Sequence, residues 1–248
     1  MSAAELFATG AIVFGAFVAR GITGFGSATL AVPMLVHFIS LRMAVPLLLV
    51  LDFASSIVLL RLDRSRIDRS EVAWMVPFAM CGVIVGVTML VKLPASWLLA
   101  PLGLVVIVFG VRALLPEQDR RRVSRAWVVP AGLAGGTLGG LFGSGAATPF
   151  MIYLTHRLND RRHVRATFSA FALFDYGFRL IVFAVSGLLL SALSLEAALV
   201  SFPAMAAGLS VGNRVHGAIS DAAARKTIAA LLILGGLLLL MKARSWQV

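Results

Sequence analysis

Long apolar stretches, separated by short loops that carry most of the charge, set the pattern of this chain. A helix that crosses a lipid bilayer needs about 20 consecutive apolar residues. The fold class expected from this pattern is therefore an all-α polytopic membrane protein. The predicted spans are residues 42–60, 72–91, 95–115, 165–187, 192–213 and 222–242.

Two further apolar segments, residues 5–39 and 126–156, do not fit a simple span. A continuous helix of about 35 residues would be about 52 Å long, against about 30 Å for the hydrocarbon core of a bilayer. Both segments are also interrupted by glycines, at 21–26 and at 139–145. Each is therefore either a broken spanning helix or a re-entrant hairpin of two half-helices.

Composition agrees with a membrane environment and excludes some kinds of site. Hydrophobic residues make up 60% of the chain and charged residues 13%, whereas a soluble domain has about 45–50% and about 25%. A single cysteine, Cys81, excludes an internal disulfide and a cysteine-based metal site. The N-terminus lacks the basic region of a signal peptide, so the first apolar stretch is expected to belong to the mature fold. No cofactor and no metal are predicted.

The net charge of +11 comes mainly from arginines in the loops. Basic loops orient a membrane protein with those loops in the cytoplasm, and without interleaved aromatic residues they do not indicate nucleic-acid binding. If the two odd segments are hairpins, 16 of the 20 loop cations share one side, and the other side has Arg42, Lys92, Lys242 and Arg244. That topology places both termini in the periplasm. If the odd segments span instead, the same cations divide 11 to 9.

Three motifs occur twice, in the same order, which predicts a duplication into residues 1–120 and 121–248. The pairs are Gly24-Phe25-Gly26-Ser27 with Leu141-Phe142-Gly143-Ser144, Arg42-x9-Asp52 with Arg165-x9-Asp175, and Pro77-x4-Gly82-x3-Gly86 with Pro203-x4-Gly208-x3-Gly212. Each half then has one odd segment and three spans. With hairpins, the number of crossings per half is odd, so the second half is inverted relative to the first, a common transporter plan. A parallel arrangement with eight spans is the alternative.

The paired glycine breaks are the first candidate site. Irregular backbone within a membrane occurs where it lines a cavity or is buried in protein, and the N-terminus of a half-helix binds anions through its free N–H groups. The alternative is that the glycines serve only close helix packing. The candidate substrate-binding residues here are Thr23, Gly24, Gly26, Ser27, Gly143, Ser144, Gly145 and Thr148.

Charged residues inside the spans are the second candidate. Asp52 and Asp175 occupy equivalent positions near mid-membrane, Arg179 follows Asp175 by four residues, and Arg20 enters the first glycine break. Intramembrane charges are costly and point to function by default. Two readings stay open: structural ion pairs, or arginines that bind an anion beside aspartates that couple protons.

The glycine motifs resemble a known family. The segment from Gly21 to Ala28 and that from Gly135 to Gly145, with Pro77 to Gly86 and Pro203 to Gly212, are similar to the TauE/SafE sulfite exporters. The resemblance implies a bacterial inner-membrane carrier of sulfite, sulfoacetate or a related sulfur-containing anion. Its glycine motifs map onto Gly24, Gly26, Ser27, Gly143, Ser144 and Gly145.

The function expected from both lines of argument is transport of a small anion by alternating access, with export as the expected direction because the membrane potential favours it. The expected partners are that anion and the lipid bilayer, with homo-oligomerisation left open. An anion channel is the alternative. An intramembrane hydrolase fits less well, because Phe25 and Phe142 stand where a nucleophile motif needs glycine, two residues before Ser27 and Ser144. The chain is therefore not expected to be an enzyme.

Overall fold

The computed structural model describes residues 2–24, 26–62, 67–115, 123–143, 147–158, 160–189, 195–215 and 221–245. The elements in these ranges are helical. They are α1 (Ala3–Thr23), α2 (Ser27–Leu35), α3 (Leu41–Leu62), α4 (Arg69–Lys92), α5 (Ala95–Leu114), a 3₁₀ turn (Arg125–Trp127), α6 (Val128–Phe142), α7 (Ala147–Arg157), α8 (Arg161–Val185), α9 (Leu195–Val215) and α10 (Asp221–Ser245).

Six of these helices are long and apolar enough to cross a membrane, which confirms the predicted fold class. They cover Ala4–Thr23, Leu41–Val58, Arg69–Lys92, Ser96–Leu114, Ala166–Val185 and Lys226–Arg244. Five coincide with predicted spans, and the sixth is α1, the first limb of an odd segment. The predicted span 192–213 overlaps helix α9, but Glu196 near the start of this helix and Asn213 near its end shorten its apolar stretch.

Both odd segments are broken where the glycines predict it. Helix α1 gives way to α2 through Gly24 and Gly26, whose φ angles are 86° and 90°, and α6 ends at Gly143 with φ 63°. Left-handed backbone of this kind costs a residue with a Cβ roughly 1–2 kcal/mol. Glycine therefore lets the chain turn sharply at the end of α1 and of α6.

The helices pack in pairs, and each pair joins one helix from the first predicted half to one from the second. Helix α1 packs along α9 and α4 along α6, while α5 packs along α10 and α3 beside α8. If α1–α5 correspond in order to α6–α10, the α1–α9 pair is the counterpart of the α6–α4 pair. The duplication itself stays a prediction, which this pairing supports.

Chain direction supports an inverted relation between the halves, which also stays a prediction. Helices α5 and α10 run antiparallel, because Gly103 lies against Gly236 and Gly110 lies against Ala229, nearer the start of α10. Counterpart helices that run in opposite directions are expected when one repeat is inverted.

Glycines permit the closest helix contacts, as the spaced glycine pairs predict. A Cβ added to Gly86 would lie 2.2 Å from the carbonyl oxygen of Thr137, and one added to Gly212 would lie 2.2 Å from that of Val18. Neither gap leaves room for a methyl group. Small residues let neighbouring backbones approach in membranes, where packing rather than water exclusion holds helices together.

A glycine-to-alanine pair tests this packing. In Gly136→Ala, the new Cβ would lie 2.2 Å from the Ala79 carbonyl oxygen, whereas in Gly15→Ala it would meet no atom within 4 Å. Gly136→Ala is expected to lower the free energy of unfolding by about 1–3 kcal/mol through overpacking. Gly15→Ala should be neutral or raise it by up to about 1 kcal/mol. Unfolding of the detergent-purified variants measures both, and equal effects would contradict the packing account.

Candidate functional site

Arg20, near the end of α1, connects the first glycine break to the middle of α3. The break between α1 and α2 and the break between α6 and α7 are called the hairpin tips below, after the predicted topology. Its side chain is fully buried, with a residue exposure of 1%. Nη1 donates to Ser27 Oγ at 3.0 Å and to Asp52 Oδ1 at 2.9 Å, and Nη2 donates to Ser56 Oγ at 2.7 Å. The Ser27 hydroxyl also donates to Asp52. One guanidinium thus connects α1, α2 and α3.

The second pair, Arg179 with Asp175, lies within one helix and has far fewer bonds. Both residues are on α8, four positions apart, and are 1% and 5% exposed. Arg179 Nη2 donates to Asp175 Oδ2. In the described part of the chain, Arg179 Nε and Asp175 Oδ1 are buried and have no hydrogen-bond partner.

Gly139 places this second pair against the other hairpin tip. A Cβ at Gly139, one turn before the end of α6, would lie 2.1 Å from Arg179 Nη2. The guanidinium therefore fills the space that the absent side chain leaves. Each arginine lies at the tip of one hairpin, Arg20 on the first and Arg179 beside the second.

Tyr176 lies between the two arginines and was not predicted from the sequence. Its ring centroid is 5.6 Å from Arg20 Cζ and 5.4 Å from Arg179 Cζ, both within cation–π range. Its position directly after Asp175 was the available signal, but its counterpart Phe53 lacks the hydroxyl. The aromatic ring brings the two buried charge pairs into one cluster.

The two halves use equivalent positions differently. Ser56 is the counterpart of Arg179 across the offset of 123 residues. In the structure, the Ser56 hydroxyl bonds Arg20 from the first half, while Arg179 bonds the carboxylate on its own helix. The arginine therefore comes from α1 in the first half and from α8 in the second.

The remaining predicted site residues fall into three groups. Gly24, Gly26 and Gly143 form the breaks themselves. Thr23 donates from Oγ1 to the Ala19 carbonyl at 2.8 Å, and Thr148 is half-buried in the first turn of α7. The predicted residues outside the described ranges are Ser144 and Gly145.

The contacts of Ser27 and His156 do not favour a hydrolase. Ser27 Oγ is bonded to Arg20 and Asp52, and neither contact is a general base of the Ser–His kind. His156 Nδ1 lies 2.8 Å from the Ile152 carbonyl of its own helix. Within the described ranges, no group of three or more His, Cys, Asp or Glu could hold a metal ion.

A buried glutamate outside the predicted site holds the second hairpin. The Glu71 side chain, 2% exposed at the start of α4, accepts from Tyr153 Oη at 2.5 Å, from Arg157 Nη2 at 2.8 Å and from Arg125 Nη2 at 3.2 Å. Arg125 precedes α6 and Arg157 ends α7. The two ends of this broken segment thus meet at one carboxylate, which supports a re-entrant hairpin over a broken span.

Glu71 was missed because it lies just outside the predicted span 72–91, where an acidic residue usually faces water. Glu71→Ala is expected to lower the free energy of unfolding by about 1–3 kcal/mol, since it leaves the buried Tyr153 hydroxyl without a partner and removes the carboxylate that two partly exposed arginines bind. The matched control is Glu196→Ala, at the exposed start of α9, with an expected change of less than about 1 kcal/mol. Unfolding of the purified variants measures both. A Glu71→Ala loss no larger than that of the control would contradict the role given to Glu71.

Comparison with known proteins identifies the family. A curated protein of Comamonas testosteroni, named probable inner membrane transporter protein TsaS, is 28% identical over 193 residues, covering 77% of this chain and 80% of the relative. The family model "Sulfite exporter TauE/SafE" matches residues 9–239, from α1 to α10. The chain belongs to the TauE/SafE family. No solved structure matches it.

Membership in the TauE/SafE family makes the chain a membrane transporter of a family of sulfite and sulfur-anion exporters. A small anionic substrate and a lipid environment follow from the same match. The matched residues include both hairpin tips and both buried arginines. Membership also fits the expectation that the protein is not an enzyme.

Proposed function

We propose that this TauE/SafE protein carries a small sulfur oxyanion across the bacterial inner membrane by alternating access, at a site between the two hairpin tips. The single observation that carries the proposal is the pair of buried arginines, each at one tip and both within 6 Å of the Tyr176 ring. Charged groups inside a membrane mark substrate paths by default.

The start of α2 adds donors of a second kind. Gly26 precedes α2, and no side chain in the described part of the chain caps the N-terminus of that helix. The first N–H groups of an uncapped helix carry partial positive charge, which favours an anion. Ser27, the first residue of α2, accepts a hydrogen bond from Arg20, so the N–H groups at the start of α2 lie beside this arginine.

The two charge pairs support different roles. The bonds of Arg20 to Asp52, Ser27 and Ser56 favour the structural reading for this pair. Arg179 has a single hydrogen bond among the described residues, so its remaining N–H groups suit an anion better. We therefore assign the anion to Arg179 and the positioning of the first tip to Arg20.

Export from the cytoplasm is the direction proposed, and both termini are proposed to lie in the periplasm. Moving one negative charge out of a negative cytosol releases about 2.3 kcal/mol per 100 mV. The curated relative is named an inner membrane transporter, and the 16-to-4 division of loop cations supports the orientation.

Counterflow in proteoliposomes tests the proposal. Vesicles preloaded with unlabelled sulfite are expected to take up labelled sulfite faster than empty vesicles, because a carrier exchanges anions across its alternating site. Sulfoacetate, thiosulfate, sulfate and small carboxylates are compared as preloaded anions. Flux that neither saturates nor responds to preloading would indicate a channel, and absence of flux for every sulfur oxyanion would overturn the proposal.

A further inference from the structure

The Arg179–Asp175 pair offers a ligand both donors and an acceptor. Arg179 Nε and Asp175 Oδ1 are buried, lie four residues apart on α8, and have no hydrogen-bond partner among the described residues. Arginine has five N–H donors, and an ionised carboxylate only accepts. A buried polar atom without a partner costs free energy, so both atoms favour a ligand that satisfies them.

The equivalent pair in the first half offers a donor only, because Arg20 Nε is also buried without a partner among the described residues, but it lacks the open acceptor. Asp52 Oδ1 accepts hydrogen bonds from Arg20 and from Ser27, and no Asp52 oxygen is among the buried atoms without a partner. The open acceptor is therefore a property of the second half. A ligand at the tips would meet Asp175 as well as Arg179.

Asp175 restricts which anions can bind. An anion that only accepts hydrogen bonds would place an oxygen against a carboxylate oxygen in a dry site, where repulsion is poorly screened. A doubly charged anion would face one arginine whose charge the neighbouring carboxylate already balances. An anion with a donor of its own would instead form a hydrogen bond with Asp175.

Resting on the proposed function, we infer that the site selects singly charged sulfur oxyanions that carry their own hydrogen-bond donor, such as hydrogen sulfite or a hydroxyalkylsulfonate. The oxyanion accepts from Arg179 Nε, and the ligand's O–H donates to Asp175 Oδ1. Fully deprotonated dianions and plain alkylsulfonates satisfy only the arginine. Asp175 thereby determines specificity through the ligand's own hydrogen-bond donor.

A pair of ligands that differ by one hydroxyl tests this inference. Isethionate (2-hydroxyethanesulfonate) and ethanesulfonate have the same charge, and their affinities for the full chain are measured by ligand-dependent thermal stabilisation in detergent. Isethionate is expected to bind at least about tenfold more tightly, because ethanesulfonate leaves a buried acceptor unpaired. In Asp175→Asn, which loses the repelling charge, the ratio of the isethionate affinity to the ethanesulfonate affinity should fall towards one.

Asp52→Asn is the matched control and should leave the ratio unchanged, whatever it does to overall affinity. Equal affinities in the wild-type protein would overturn the inference while leaving the proposed function intact. Binding of neither sulfonate, with sulfite counterflow retained, would overturn it too. Failure of every sulfur oxyanion to bind or to exchange would instead remove the proposed function itself.

Discussion

Arg20→Leu is expected to prevent stable folding. The substitution leaves the Asp52 carboxylate, which is 3% exposed, without its cation. It also removes the N–H groups that donate hydrogen bonds to Ser27 and Ser56. Loss of one partner from a buried ion pair costs about 3–5 kcal/mol, a large share of the about 5–15 kcal/mol that stabilises a typical protein. The amount of protein in membranes and its unfolding in detergent measure the effect.

The double variant Arg20→Leu/Asp52→Leu separates ion pairing from other causes. Replacing both members of a buried pair with apolar residues is often neutral, so much of the lost stability should return. Arg244→Leu, at the exposed end of α10, is the control for loss of positive charge and should fold normally. An Arg20→Leu protein as stable as the wild type would contradict the structural role of this pair.

Arg179→Gln/Asp175→Asn is expected to fold but to lose sulfite transport by about 100-fold or more. Both replacements are neutral, so no buried charge is left without a partner, and Asp175→Asn also keeps the shape of its side chain. The anion, however, loses charge-assisted hydrogen bonds that are worth about 1.5–3 kcal/mol each. Counterflow per folded protein measures the effect.

Gly15→Ala, which meets no atom within 4 Å, is the control for that assay and should transport normally. Comparison with Arg20→Leu/Asp52→Leu then decides between the arginines. If the Arg20–Asp52 pair is structural, the Arg20→Leu/Asp52→Leu variant should retain more transport than the Arg179→Gln/Asp175→Asn variant. The reverse order would indicate that Arg20, rather than Arg179, binds the anion.

Much of the fold could be predicted because it depends on local sequence. The length of an apolar stretch limits where a helix can cross a bilayer, and five of the six predicted spans recur with small shifts at their ends. The breaks at Gly24 and Gly143 could be predicted because only glycine takes positive φ without strain. Glycine spacing at Gly82 and Gly86 likewise predicted a tight helix contact.

The roles of the charged residues could not be predicted, because they depend on contacts between distant parts of the chain. Repeat symmetry makes Asp52 and Asp175 equivalent, yet Asp52 accepts hydrogen bonds from α1 and α2, whereas Asp175 Oδ1 has no partner among the described residues. Tyr176 matters only because two arginines from different helices flank its ring. Glu71 resembles an ordinary helix-end acid until the hairpin places two arginines and a tyrosine around it.

The most direct test of the central claim is anion protection of a cysteine at the second hairpin tip. Cys81→Ser removes the only cysteine, and Thr148→Cys adds one on the first turn of α7. In membrane vesicles, a water-soluble thiol reagent should label this cysteine, and saturating isethionate, which unlike sulfite does not consume the reagent, should slow labelling severalfold. Labelling that no sulfur oxyanion changes, in a protein that still exchanges sulfite, would contradict an anion site between the hairpin tips.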